Sequence, residues 1–374
     1  MAELQIERLD IKARGIAEHA GVTFVCDGAL PGETVAISRS EQRRHLAIAR
    51  EFSVITPARA RITPACGYFG ECGGCQLQHA DYPAQLHYKQ GLLEYALHRH
   101  GEVRPQTWLE PIACSPWHYR RRARLRARSL ADGELLIGFN RKHRSWLLDI
   151  NTCAVLEPRL QALLGPLHEL VSQLSVRQRL PQIELACGDA DTAVVLRHLQ
   201  PLTDTDRRLL ATFTERYGVL GFTRAGGPHT LTALHEQQAP TLHYALPAHD
   251  ITLGFAPTDF IQANAGVNRA LVDEVVQLAQ LTEEDTALDL FCGSGNFSLP
   301  LARHAGRVIG VEVHAGLAGR ARANAVYNNL RNVEFIAADL CYWRPDVNCN
   351  KLVLDPPREG AIDIILSLIH ISEP

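Results

Sequence analysis

The chain has 374 residues, of which 46% are apolar and 21% charged, a length beyond one ordinary globular core and a composition able to bury two or three. It holds no run of about 18 apolar residues and does not start with a basic stretch followed by an apolar one, which argues against a membrane span and a secretory leader. We therefore expect a cytoplasmic protein of two or three domains with no membrane partner, and nothing implies an obligate protein partner.

The net charge of −3 is unevenly distributed along the chain. Residues 1–150 contain 21 Lys and Arg against 16 Asp and Glu, a net charge of +5, whereas the rest of the chain carries −8. A basic front half suits a polyanionic partner, and an ordinary solvated surface would show the same modest excess.

The first 55 or so residues are typical of short strands divided by turns. Apolar and polar residues alternate with a period of two, and Gly28, Pro31 and Gly32 interrupt the pattern. Residues 1–56 are therefore predicted to form a small β-barrel of a kind that often binds oligonucleotides, with a generic β-module as the alternative.

Residues 57–254 are predicted to form a mainly β central domain with two helices, over 82–100 and 158–174. Three of its cysteines, Cys66, Cys72 and Cys75, are spaced C-x5-C-x2-C, which in a reducing compartment favours metal over disulfides. Three thiolates leave a tetrahedral site one ligand short. The candidates for a fourth ligand are Cys114, Cys153 and Cys187.

The spacing of these cysteines favours an iron-sulfur cluster over zinc. Zinc sites usually consist of two short pairs, whereas this set is a triplet with a distant fourth member. Zinc and the absence of any metal stay open as alternatives. A radical methyltransferase is a more distant one, because its usual triplet is C-x3-C-x2-C.

An arginine-rich strand is predicted near residue 125. Arg122, Arg124, Arg126 and Arg128 alternate with small or apolar residues, so that one face of the strand would pack on a core and the other would present guanidinium groups. Such a row is suited to phosphates, because four like charges repel one another without an anion nearby. A charged edge strand that resists aggregation is the alternative.

From residue 255 onward strands and helices alternate, which is typical of a parallel α/β sheet. An apolar strand leads into a turn containing Gly293 and Gly295, and the next three strands end at Glu312, Asp339 and Asp355. These groups would all lie at the carboxyl edge of one sheet, where open α/β folds bind nucleotides. Glu312 is placed to accept hydrogen bonds from a ribose, and Asp339 is placed to meet an adenine amine.

The order of these groups is closer to that of S-adenosylmethionine methyltransferases than to that of dinucleotide dehydrogenases. A dehydrogenase would carry a third glycine where Ser298 stands. Methylation of a base amino group is disfavoured, because the two prolines after Asp355 are followed by Arg358 where those enzymes carry an aromatic residue for stacking.

Taken together, the sequence resembles the RNA uracil-5-methyltransferases, most closely the type that modifies 23S ribosomal RNA. Three motifs carry the resemblance: the cysteine triplet with Cys153 in Asn-Thr-Cys-Ala-Val-Leu-Glu-Pro, the stretch Phe-Ile-Gln-Ala-Asn at 260–264, and Asp-Leu-Phe-Cys-Gly-Ser-Gly-Asn-Phe-Ser at 289–298. The match extends from residue 1 to about residue 361. A barrel together with a cluster favours this type, because the other ribosomal type lacks the barrel and the transfer-RNA type lacks both.

The resemblance implies a Rossmann-like S-adenosylmethionine methyltransferase domain over 255–374, an OB-like TRAM β-barrel over 1–56 that binds RNA, and a 4Fe-4S cluster in the domain over 57–254. It makes Cys153 the fourth ligand of that cluster. It also implies a set of residues that contact S-adenosyl-L-methionine: Gln262, Phe291, Asn296, Glu312, Asp339 and Asp355. Phe291 as an ordinary core residue is the alternative.

In the family a cysteine thiolate adds to C6 of uracil, C5 takes the methyl group, and a carboxylate then removes the C5 proton. The nucleophile of that reaction lies in a Ser-Cys-Asn/Asp-Pro motif after Asp-Pro-Pro-Arg, with the glutamate base later still. Here neither is found, and the catalytic residues are therefore unknown. Cys292, Cys341 and Cys349 are better interpreted as core or loop cysteines. We expect a truncated or mis-joined sequence with a C-terminally incomplete domain, which binds cofactor and RNA without turnover.

Overall fold

The protein is described here by a computed structural model. Its described residues are 2–130, 132–227, 230–235, 241–343, 348–358, 360–362 and 364–365, with the backbone alone at Ala2 and His100. Most of the unusual C-terminal tail that the sequence analysis singled out, residues 366–374, lies outside them. The chain folds as two compact units, one of residues 1–116 and 136–154 and the other of residues 117–135 and 155–374. The predicted division at residues 56 and 254 stays a prediction.

The first unit begins with a six-stranded sheet in the order β1-β5-β6-β4-β3-β2. Its strands are β1 (Ala2–Gln5), β2 (Arg8–Leu9), β3 (Gly15–His19), β4 (Val22–Cys26), β5 (Thr34–Arg43) and β6 (Leu46–Thr56). The edge strands β1 and β2 are separated in the chain only by Ile6 and Glu7, and three peptide steps reach about 11 Å at most. The sheet must therefore curl back on itself.

The interior of this curled sheet is filled by small and branched apolar side chains. The buried set comprises Leu4, Ile6, Ala17, Cys26, Ala29, Val35, Ile37 and Ala49. The curl is the shape that the barrel prediction requires, whereas the TRAM assignment stays a prediction.

The rest of the first unit consists of a cysteine-bearing loop, a long helix and a hairpin. The helix α1 (Tyr82–Gly101) agrees with the predicted helix over 82–100, and the side chain of Asp81 caps its start by accepting from Ala84 N at 2.8 Å. The strands β8 (Leu135–Asn140) and β9 (Leu147–Asp149) pair antiparallel.

The second unit contains a mixed sheet whose strands follow the order β13-β12-β11-β10-β7. Its strands are β7 (Arg122–Ser129), β10 (Gln182–Cys187), β11 (Thr192–Arg197), β12 (Leu220–Arg224) and β13 (Leu231–Ala233). The helices α2 (Pro158–Gln161) and α3 (Leu164–Gln173) precede β10, so the single helix predicted over 158–174 is in fact two. The helix α4 (Asp204–Tyr217) makes the crossover between the parallel strands β11 and β12.

The hairpin β14 (Leu242–Leu246) and β15 (Ile251–Phe255) leads into the parallel α/β half of this unit. There four parallel strands follow the order β18-β17-β16-β19. They are β16 (Thr286–Leu290), β17 (Arg307–Glu312), β18 (Val333–Ala337) and β19 (Lys351–Leu354). The associated helices are α5 (Ala265–Ala279), α6 (Ser298–Ala302) and α7 (Ala315–Tyr327).

The order of these parallel strands determines where a ligand fits. The strand β16 is central, the chain then adds β17 and β18 on one side, and it crosses to the other side for β19, so the order reverses beside β16. Open α/β sheets bind ligands at the carboxyl ends of their strands, at such a reversal. One apolar core runs from Ala193 and Phe222 of the mixed sheet to Val308 and Phe335 beside this crevice.

In the described part of the chain, we find no helix that combines the length and the apolar character needed to cross a membrane.

Candidate functional site

The Gly-rich turn after β16 has a backbone that departs from the usual torsions. Gly293 and Gly295 have φ of 57° and 96°, and Phe291 has φ of 64°, which is uncommon for an aromatic residue. A Cβ on Gly295 would also lie 3.1 Å from the side chain of Leu299. Backbone in these regions is typical of functional turns, and the sequence prediction of a close-approach turn at 293–295 agrees with it.

Glu312 holds this turn from the end of the neighbouring strand. Its Oε2 accepts from Gly293 N at 3.1 Å and its Oε1 accepts from His314 N at 2.9 Å. The residue is buried, and a carboxylate has about four acceptor positions, so two remain for a ligand. Glu312 thus has acceptor positions left for a ligand, and its predicted contact with a ribose stays a prediction.

Two further residues predicted for the cofactor meet across the crevice. Gln262 Nε2 lies 3.5 Å from Asp355 Oδ2, although 93 residues separate them in the chain. Partial desolvation raises the pKa of Asp355, while the residue as a whole stays exposed. Asp339 is also exposed, just beyond β18, and its Oδ1 accepts from Cys341 N at 2.9 Å. Carboxylates at the ends of three strands of one sheet give a ligand with hydroxyl and amino groups several acceptors.

The contacts of Asn296 and Phe291 are with the surrounding protein. The side chain of Asn296 exchanges two hydrogen bonds of 2.9 Å with Asn268 of α5, and Asn296 Oδ1 also accepts from Tyr244 OH at 2.9 Å. These contacts hold the Gly-rich turn to α5 and β14. Phe291 packs partly buried against the apolar cluster of Leu290 and Val311, which is the alternative given for it. The predicted cofactor contacts of both residues stay predictions.

Asp289 is the buried acid of this region. It is fully buried, and the hydroxyl of Ser298 donates to its Oδ2. Burial raises its pKa to about 7, with smaller contributions in the same direction from the charges of Asp355 and Glu312, while the bonds from Ser298 act in the opposite direction. The pair ties the end of β16 to the start of α6 and so fixes the two sides of the turn.

Sequence reasoning missed Asn324, which lies on the buried face of α7. Its Nδ2 donates to Ser294 O at 3.0 Å and to Gly254 O at 3.1 Å, and its Oδ1 accepts from Gly254 N at 2.8 Å. One amide therefore joins β15 to the Gly-rich turn. A buried asparagine within a helix face of small residues was the only indication in the sequence.

The cysteine-bearing loop is held within the first unit by backbone contacts to the β8–β9 hairpin. Gly73 N donates to Asn140 O at 3.0 Å, and Lys142 N donates to Glu71 O at 2.7 Å. Near the other end of the loop, Tyr68 OH donates to Asn151 Oδ1 at 2.9 Å. Asn151 is two residues before Cys153, so this bond draws the Cys153 segment to the triplet.

The thiol of Cys72 lies near those of Cys66 and Cys153. Burial raises the pKa of Cys72, and the nearby Cys153 and Cys66 raise it further, while Gly74 N opposes this by donating to its Sγ at 3.4 Å. None of the ten cysteines, all of which lie among the described residues, forms a disulfide. Across those same residues, no group of three or more His, Cys, Asp or Glu has the arrangement needed to hold a metal ion.

The other candidates for a fourth ligand lie in different surroundings. Cys187 belongs to the second unit, at the end of β10, where it is buried and its N donates to Arg121 O at 2.9 Å. Burial raises its pKa to about 12. Cys114 belongs to the first unit, and its N donates to Tyr82 OH at 3.2 Å. Only Cys153 has a described electrostatic link to the triplet.

The arginine strand has the predicted alternation but also an unexpected anion. Ala123, Leu125 and Ala127 are buried, and Arg124, Arg126 and Arg128 are exposed. Arg122 is instead mostly buried. Its Nη2 donates to Glu184 Oε2 at 3.0 Å and to Thr258 O at 2.7 Å.

The buried carboxylate of Glu184 also pairs with Arg124 at 3.6 Å and with Arg224 at 3.0 Å. Glu184 therefore neutralises part of the positive charge of the arginine strand, a role that the sequence analysis had assigned to RNA phosphates. Phosphate binding by the arginine strand stays a prediction, best suited to the three exposed arginines.

Comparison with known proteins identifies the family. The model of the family described as tRNA (Uracil-5-)-methyltransferase matches residues 81–340. The 23S rRNA (uracil(1939)-C(5))-methyltransferase RlmD of Alkalilimnicola ehrlichii is 42% identical over 369 residues, covering 97% of this chain and 83% of the relative. The protein of the same name from Nitrosospira multiformis is 41% identical over 374 residues, covering 98% and 85%.

A solved structure shares the fold. The tRNA (uracil-54, C5)-methyltransferase of Pyrococcus abyssi, in complex with S-adenosyl-L-homocysteine, matches with a TM-score of 0.73 and 20% identity, over 98% of this chain and 87% of that one. The family match covers more than half of the chain and the relatives agree with it over nearly its whole length. The chain therefore belongs to the tRNA (uracil-5-)-methyltransferase family, a family of RNA-modifying enzymes.

Proposed function

We propose that this protein is an RNA methyltransferase that acts on C5 of a uridine in 23S ribosomal RNA, at the position corresponding to the uracil 1939 of its named relatives. The observation that carries the proposal is the convergence of the Gly-rich turn, Glu312, Asp339 and Asp355 at one sheet edge, in a chain 42% identical to such an enzyme. A ribosomal RNA substrate also implies a cytoplasmic location.

S-adenosyl-L-methionine would bind in the crevice beside β16. The backbone of the Gly-rich turn allows close approach, Glu312 would accept from the ribose with its remaining acceptor positions, and Asp339 would accept from the adenine amine. Gln262 and Asp355, which lie within 3.5 Å of each other, would contact the cofactor from the opposite side. The bound cofactor supplies an electrophilic methyl group.

RNA would be held by two features, each in its own unit. The curled sheet of residues 2–56 would act as a TRAM-type RNA-binding module, which its curl and its mainly antiparallel strand pairing support. In the second unit, the exposed arginines of β7 would contact phosphates.

The thiols of Cys66, Cys72, Cys75 and Cys153 would ligate a 4Fe-4S cluster. The donor set suits it, because four thiolates are its usual ligands. The Tyr68–Asn151 bond, which joins the loop of the triplet to the segment of Cys153, supports the choice of Cys153 as the fourth ligand. We assign no step of the reaction to the cluster.

The family reaction needs an activated thiolate for C6 of uracil and a carboxylate for the C5 proton. Burial raises the pKa of Cys26 to about 11 and that of Cys187 to about 12, and it also strongly raises that of Cys292 beside the crevice. These thiols are protonated and inaccessible at neutral pH. We therefore propose that none of these three thiols is the nucleophile of the reaction.

Mapping of ribosomal RNA by mass spectrometry tests the proposed substrate. A strain without the full-length gene should lack 5-methyluridine at the one position that corresponds to 1939, and the gene should restore it. An unchanged methylation pattern would contradict the assignment. If the purified 374-residue chain forms 5-methyluridine on a 23S fragment, the variant C341S would show whether the exposed thiol of Cys341 is responsible.

The proposed cluster has its own test. Anaerobic purification should give a brown protein with broad absorption near 400 nm and about four iron atoms per chain. The variant C153S should lose this absorption, whereas C114S should retain it. A colourless protein that contains zinc would favour the zinc alternative instead.

A further inference from the structure

An exposed aromatic residue lies at the tip of the β8–β9 hairpin. The tip comprises residues 141–146, and Trp146 is 62% exposed there. The guanidinium carbon of Arg144 lies 5.3 Å from the centre of the indole ring, within the range of a cation–π contact. Tryptophan is the largest side chain and is costly to leave in water, so this position calls for an explanation.

The hairpin tip is held firmly within the first unit. Arg141 N donates to Trp146 O at 2.8 Å, and Arg144 N donates to Arg141 O at 3.2 Å. Lys142 Nζ pairs with Asp27 Oδ1 at 2.7 Å, which fastens the tip to the loop after β4. The indole ring is therefore presented by a fixed turn, and little entropy is lost when a flat ligand binds to it.

The charges at the tip select the class of ligand. The side chain of Arg141 pairs with Glu71, and that of His143 lies 2.6 Å from the Asp27 carboxylate that also holds Lys142. Within the described part of the chain, Arg144 forms no ion pair, and it is exposed. The tip thus offers one flat ring and one uncompensated cation side by side, a pairing suited to an unpaired nucleotide with its base and its phosphate.

We propose that Trp146 stacks on an unpaired base of the RNA and that Arg144 contacts an adjacent phosphate. This inference rests on the proposed RNA substrate, and it adds a specific contact outside the cofactor crevice. Stacking of this kind is sequence-tolerant, so the hairpin tip would contribute affinity and not choose the modified uridine.

Binding of a single-stranded 23S fragment, followed by tryptophan fluorescence and by anisotropy of a labelled RNA, tests the proposal. Removal of one stacked base contact weakens binding by about tenfold. W146A should show that loss, W146F should retain most of the affinity, and W108A, which removes another exposed tryptophan of the same unit, should bind like the wild type. Fluorescence quenching by RNA should disappear in W146F but persist in W108F.

Heparin, a polyanion without bases, separates stacking from charge. R144A should bind both heparin and RNA more weakly, whereas W146A should bind only RNA more weakly. Equal losses for both ligands in W146A, or unchanged RNA affinity, would overturn the stacking proposal while leaving the proposed function intact. If the wild-type chain itself bound no RNA, the proposed function and this inference would both fail.

Discussion

Glu312 accepts the backbone N–H of Gly293 at 3.1 Å, and this bond joins the end of β17 to the Gly-rich turn after β16. The same carboxylate accepts from His314 N, so both of its oxygens are already oriented before any ligand binds. The residue predicted to hold a ribose is thus also a residue that shapes the turn.

Replacement of Glu312 should weaken cofactor binding through both of these roles. In E312Q an amide N–H would face a backbone N–H on one side, and in E312A both backbone donors and the ligand lose the carboxylate. One lost hydrogen bond to a charged group is worth about 1.5 to 3 kcal/mol, about tenfold or more in affinity. Calorimetry with S-adenosylhomocysteine would measure this. E334Q, on the exposed face of the adjacent strand β18, is the matched control and should bind normally. Unchanged affinity in E312A would remove Glu312 from the site.

Asp289 should make stability depend on pH. Its pKa is 3.8 when the chain is unfolded and about 7 in the fold, so the folded state binds more protons between these values. The free energy of unfolding therefore falls as pH rises from about 4 to about 7, and the loss remains above pH 7. Below pH 4 both states are protonated and the group has no effect.

The variant D289N should consequently lack this loss. Between pH 5 and pH 8 its stability relative to the wild type should improve by on the order of 2 to 3 kcal/mol, because two pKa units are involved. Thermal melting at several pH values measures the difference. S298A keeps the carboxyl group and removes its hydrogen-bond donor, which should raise the pKa of Asp289 further. The fall in stability should then be larger and extend to higher pH. A parallel pH dependence in D289N and the wild type would rule out a titration of Asp289.

The amide pair of Asn268 and Asn296 should act as one unit in cofactor binding. Each side chain donates to the other at 2.9 Å, so removal of either one leaves the amide of its partner without these hydrogen bonds. N268A should weaken S-adenosylhomocysteine binding although Asn268 lies on α5 and not in the turn. In a double-mutant cycle with N296A the losses should fall short of additivity by about 1 kcal/mol or more. Strict additivity would mean that the pair does not position the turn.

The sequence alone was sufficient to predict those structural features that depend on a local pattern of residues. The alternation over 122–128 predicted β7, the strand-and-turn pattern predicted the parallel sheet, and the residues that end its strands predicted the crevice. These succeed because period and turn chemistry act over a few residues, and because parallel strands end at a common edge.

Side-chain partners from distant elements could not be predicted in this way. Glu184 neutralises arginines of β7 and β12, and Asn324 joins β15 to the Gly-rich turn, yet neither has a distinctive neighbour in the chain. Which buried polar group meets which partner depends on the packing of whole elements. The break between α2 and α3 was also missed, because both carry apolar residues at helical spacing.

The exposed arginines of β7 should determine how RNA affinity depends on salt. Each phosphate contact that is lost lowers the slope of log K against log salt by about 0.7 to 0.9. In the triple variant R124A/R126A/R128A the slope should therefore fall by about 2 to 3 if all three contact phosphates. Arg122 is left in place, because its loss would leave Glu184 buried with fewer partners and would destabilise the sheet.

A matched triple variant on the exposed side of α4, R207A/R208A/R216A, removes the same charge from the same unit. It should change the net charge of the protein equally but leave the slope almost unchanged, because the condensed counterions are released only where arginine meets phosphate. Equal slopes in the two triple variants would mean that β7 acts only through the overall charge of the protein. In that case the pairing with Glu184 would account for the arginines of β7 as a structural feature of the sheet.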